Sequence, residues 1–153
     1  MRLIIIICIS LIVCNKCYCQ DTLYRSEIQE TLKDLYKDST SFRSYNNLPK
    51  YVRSYMNQRF EGTFRLSKHK FNASDIGSMR HSRKYMYAAG SKGVYVVGYE
   101  HGGYAYHCHA IIFRTNGKQV VNMYNLVTPK HGVSELAHII EYGEYRYQRY
   151  DDY

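Results

Sequence analysis

The chain is predicted to fold as an α+β domain with two N-terminal helices, an antiparallel meander of about five strands and a C-terminal helix. Three observations predict it. Apolar residues recur every three to four positions between about 23 and 60. The period drops to two after Gly62. Four runs rich in Val, Ile, Tyr and Phe then follow between 85 and 127, separated by Gly-containing turn sequences.

The first segment reads as an address. Met1-Arg2 precedes an apolar run from Leu3 to Val13, too short for a comfortable permanent span. Cys17 and Cys19 supply a small-x-small pattern, so residues 1–19 are expected to be a signal peptide cut after Cys19. A retained anchor, or a lipoprotein acylated at Cys14, is the alternative, and the bulky Val13 before that cysteine argues against the second. Cleavage would leave residues 20–153 as a single α+β domain with a Tyr-rich C-terminal tail and no stable membrane insertion. The protein would be secreted or periplasmic.

That cut removes four of the five cysteines and leaves Cys108 alone, which excludes a disulfide-stapled scaffold. The remaining 134 residues are long enough to bury a core unaided. Loss of Arg2 and Lys16 lowers the net charge from +8 to +6, which favours an anionic partner unless the charge serves solubility alone.

Each element has its own signal. Ser26-Glu27-Ile28-Gln29 has capping-box form, and Tyr24, Ile28, Leu32 and Leu35 make a helical stripe over about 23–37, ended by Ser39-Thr40-Ser41. Leu48-Pro49 opens the second helix, because Pro suits a first helical turn, and Val52, Tyr55, Met56 and Phe60 continue its stripe. Both helices are expected on one sheet face. Phe64 and Leu66 alternate with Thr63, Arg65 and Ser67 as in a half-buried strand.

Lys68, His69, Lys70, Arg80, His81 and Arg83, opposed only by Asp75, mark a basic loop, either solvated or an anion-contacting flap. Asn72-Ala73-Ser74 within it is a glycosylation acceptor in a eukaryotic host. Tyr85–Ala88, Val94–Tyr99, Tyr104–Arg114 and Gln119–Val127 are the strands of the meander, with two-residue turns expected at Gly102-Gly103 and Asn116-Gly117. Ser134 caps a last helix with Leu136, Ile139, Ile140 and Gly143 on one face. The tail from Glu141 sets tyrosines beside acids, a pattern for sulfation in a eukaryotic secretory route or for rings packing back on the sheet.

One constellation could carry chemistry. In a strand His107 and His109 share a face and Cys108 takes the other. With the two turns as placed, Glu100, Asn122 and Tyr124 join the histidines. Three uses follow. His107 and His109 with a carboxylate could hold Zn²⁺. Glu100, His107 and His109 as general acid and base, with Arg114 or the basic loop holding phosphate, would cleave RNA without metal. Alternatively, these side chains are hydrogen-bonded structural groups. Cys108 is expected to be a buried, inert thiol.

The element order, with a few histidines between about 85 and 127, is similar to that of secreted or toxin-type ribonucleases of the barnase and EndoU kind. It is equally similar to small exported inhibitors and immunity proteins, and no diagnostic motif accompanies either likeness. The leading expectation is an exported binding protein that meets a protein or anionic polymer through a Tyr/His-rich sheet face. Tyr104, Tyr106, Tyr124, Arg114, Lys68, Lys70, Arg80 and Arg83 are its candidate contacts. The alternative is a secreted ribonuclease, for which the partner is nucleic acid.

Overall fold

In a computed structural model, residues 25–60, 64–69, 83–102 and 106–147 are described. The expected leader, the glycosylation acceptor, Tyr104, Lys70 and Arg80 lie outside them. Two glycines turn the chain between its longest strands. Gly93 has φ of 83° and Gly117 of 58°, a region where any Cβ crowds the backbone. Around these turns run β2 (Arg83–Ser91), β3 (Val94–His101), β4 (His107–Asn116) and β5 (Gln119–Thr128), paired antiparallel in chain order.

Two short strands complete the sheet. β1 (Thr40–Phe42) adds to β2 and β6 (Arg146–Tyr147) to β5, giving six strands in sequential order among the described residues. The α+β meander is therefore as expected, with different edges. Thr40 and Ser41, read as a helix stop, also begin β1. Residues 64–67 make only a bridge from Ser67 to Lys84, although Phe64 is buried as its alternation implied.

Among the described residues three α-helices flank the sheet: α1 (residues 25–37), α2 (Lys50–Arg59) and α3 (Leu136–Tyr142). Pro49 stands at the N-cap of α2, and Gly143, at φ 72°, ends α3 in a left-handed conformation instead of extending its apolar face. α1 and α2 lie on opposite faces, which corrects the expectation of one shared face. Ile28, Leu32 and Leu35 of α1 pack with Leu136 and Ile140 of α3 on Val94, Val96, Ala110, Ile112, Tyr124 and Leu126. Val52 and Met56 of α2 pack with Phe60 and Phe64 on Val97, Tyr99, Ile111, Phe113 and Met123.

The reason is visible in the central strands. Residues 108–113 are buried without interruption, as expected where a sheet is covered on both sides. Polar links fix the first layer. Tyr36 donates to the Val133 carbonyl at 2.7 Å and accepts from the Ala137 N–H at 3.0 Å, and Asn122 Nδ2 donates to Glu27 at 3.1 Å. Among the described residues no helix is long and apolar enough to cross a membrane.

Candidate metal centre

Register decides which side chains meet. Tyr99 pairs with His109 and His101 with His107, so all four rings stand on the α2 side of the sheet, where β3 and β4 connect. Glu100 pairs with Cys108 and faces the other way. The connection occupies residues 102–106, not a tight Gly102-Gly103 turn, so the pairing differs from the expected one by three residues. An odd difference exchanges the two faces.

The expected Glu100–His107–His109 grouping is thereby corrected. Glu100 is 4% exposed and ion-paired to Lys130 at 2.9 Å and Lys84 at 3.2 Å. Burial alone would raise its carboxyl, and the two lysines more than offset that, so its pKa lies below the ordinary value.

A similar correction applies to β5. Its turn is Gly117-Lys118, with an irregularity between Arg114 and Thr115, so Tyr124 pairs with Ile112 and Asn122 with Arg114. Both join the face away from the histidines. Tyr124 is fully buried and accepts a hydrogen bond from Asn122 Nδ2 at 2.7 Å, so it offers no exposed contact ring. Arg114 is exposed but lies at the opposite end of β4 from His107. Tyr106 and Lys68 are exposed, and Arg83 pairs with His101 on the neighbouring strand. The Cys108 thiol is buried, and burial pushes its pKa up, as an inert group requires.

What assembles instead is a set of three imidazoles, with His101 a member that the expected grouping did not include. One nitrogen from each of His101, His107 and His109 lies within 4.8 Å of the others. His101 Nδ1 and His107 Nε2 are 3.4 Å apart. Two Zn–N bonds meeting at a tetrahedral centre put their nitrogens about 3.3 Å apart, so this separation suits a shared ion, while ordinary hydrogen bonds are shorter.

The innermost ring is firmly held. His109 is fully buried and its Nδ1 lies 3.0 Å from Asn125 Oδ1. An amide oxygen only accepts, so the proton sits on Nδ1 and the lone pair on Nε2. A metal-binding histidine is oriented in the same manner by its second nitrogen. Tyr99 stacks on the same ring at 4.8 Å and 3°.

Burial favours the neutral ring at His101 and at His109. Burial, assisted by Arg83 and His107, holds His101 down to about 4; burial holds His109 down to about 3 against the opposing hydrogen bond that its ring donates to Asn125. Neutral imidazole is the ligand form, and three such nitrogens suit Zn²⁺ or a neighbouring late transition ion. His101 and His107 are only partly buried, which leaves an approach from solvent.

Compared with known proteins, the chain matches no family model, no curated protein and no solved structure.

Proposed function

We propose that this protein is an exported metal-binding protein whose His101, His107 and His109 take a Zn²⁺-type divalent ion. The observation that carries the reading is the convergence of the three ligand nitrogens within 4.8 Å. The Asn125 partner of His109 supports it by supplying a fixed tautomer. The leader-like N-terminus supports the exported part. Three neutral protein ligands leave a fourth position for water or an exchangeable ligand, the pattern of open zinc sites.

The other two readings draw less support. A partner docking on a Tyr/His sheet face meets α2, which covers that face, and the buried Tyr99. The ribonuclease reading placed Glu100 and Arg114 beside the histidines, whereas Glu100 faces the other side of the sheet and Arg114 lies at the far end of β4.

Titration of chelator-treated protein with Zn²⁺, followed by thermal unfolding, tests the proposal. Binding to the folded state alone adds about 2.7 kcal/mol of stability when free ion is a hundredfold above Kd. The expected outcome is a rise in midpoint that His107→Ala and His101→Ala each abolish. An unchanged midpoint, or an equal rise in both variants, refutes the site.

A further inference from the structure

On the same side of the sheet a second opening remains. A cleft of about 470 Å³ is lined by Arg53, Arg65 and Lys68 and by Tyr45, Phe64 and Tyr85. Its size falls within the range of small-molecule sites. Three cations border it, and no carboxylate is among its described lining residues. Among those residues its charge is therefore unbalanced.

The lining is also built. Arg53 Nε donates to the Leu48 carbonyl at 3.1 Å, so one edge of its guanidinium is anchored. Phe64 packs between Phe60 and Tyr45, with centroids 5.0 and 5.7 Å away. Tyr85 donates to the Phe42 carbonyl at 2.6 Å. The Tyr45 hydroxyl is buried with no hydrogen-bond partner among the described residues, a costly condition that an acceptor entering from the cleft would relieve.

We infer that this cleft binds a phosphate ester of a flat ring, of the nucleoside monophosphate class. The phosphate is met by Arg65, Lys68 and the outer edge of Arg53, since charge-assisted donors suit phosphate oxygens. The ring lies against the Tyr45, Tyr85 and Leu66 wall, and the Asn46 and Asn57 amides are available to its polar edge. This site is separate from the imidazoles, and the inference does not depend on the metal reading.

Calorimetric titration with adenosine monophosphate tests it, with inorganic phosphate and adenosine as parallel arms. Chelator throughout removes any ion at the histidines. Arg65 and Lys68 are exposed, so Arg65→Gln and Lys68→Gln leave folding intact, which an unchanged thermal midpoint verifies. The expected result is saturable binding of the monophosphate, at least tenfold tighter than either parallel arm and at least tenfold weaker in the double variant. Absence of saturable binding overturns the inference. So does equal affinity for phosphate or adenosine alone, or an affinity that the double variant leaves unchanged.

Discussion

Tyr99 lies flat on His109, their ring centroids 4.8 Å apart and their planes within 3° of parallel. Phe64 meets the same tyrosine edge-on at 5.4 Å. Tyr99→Ala therefore empties a fully buried ring site and is expected to cost about 3–5 kcal/mol, read by denaturant unfolding. A loss below about 1 kcal/mol would show that the stack is not a packing element.

Asn125→Ala removes the acceptor that fixes the His109 proton. The expected cost is about 1–3 kcal/mol for a buried imidazole N–H left without that bond, and Zn²⁺ affinity should fall about 10- to 100-fold. Isothermal titration measures the second effect separately from stability. Unchanged affinity would mean that the tautomer is set elsewhere.

Acid should destabilise the metal-free protein in a defined window. His101 and His109 have folded pKa values of about 4 and 3, and His131 is also held down, chiefly by burial. Unfolded imidazoles titrate near about 6.5. Between these values the unfolded chain binds protons that the folded chain refuses, so stability is present above pH ~6.5 and is lost as the pH falls toward 4. Each group contributes a slope of up to about 1.4 kcal/mol per pH unit. Urea midpoints across pH 4–7 in chelator measure it, and His101→Gln should flatten the slope. A flat wild-type profile would contradict the burial of these rings.

Gly98 and Gly117 separate two kinds of glycine requirement. A Cβ on Gly98 would lie 2.3 Å from the Tyr87 ring, so Gly98→Ala is expected to cost about 1–3 kcal/mol through overpacking. Gly98→Ala combined with Tyr87→Leu should recover part of that loss. At Gly117 nothing lies within 4 Å, and only its φ of 58° resists a side chain. Gly117→Ala should cost about 1–2 kcal/mol, and Gly117→Asn less, since Asn tolerates that conformation. Thermal melts of the four variants distinguish crowding from backbone strain.

Element type was legible where one periodicity ran long. Ile28, Leu32 and Leu35 gave α1, Val52 and Met56 gave α2, and Leu136, Ile139 and Ile140 gave α3, with each residue buried as its spacing implied. Pairing was not legible, because a Gly-Gly sequence permits a two-residue turn without requiring one. The β3–β4 connection runs from 102 to 106, and that alone moved Glu100 off the histidine face and brought His101 onto it. The placement of α1 and α2 did have a signal. The unbroken apolar stretch Ala110-Ile111-Ile112-Phe113 requires cover on both sides of the sheet, while a one-sided sheet would alternate.

His101 ends one strand and His107 begins the next, so a cation held between them would clasp the neck of the chain that joins the two. Such a clasp acts like a disulfide in closing a short loop of the chain, but it opens when the ion leaves. Metal supply would then set how tightly the mouth of this hairpin is drawn shut.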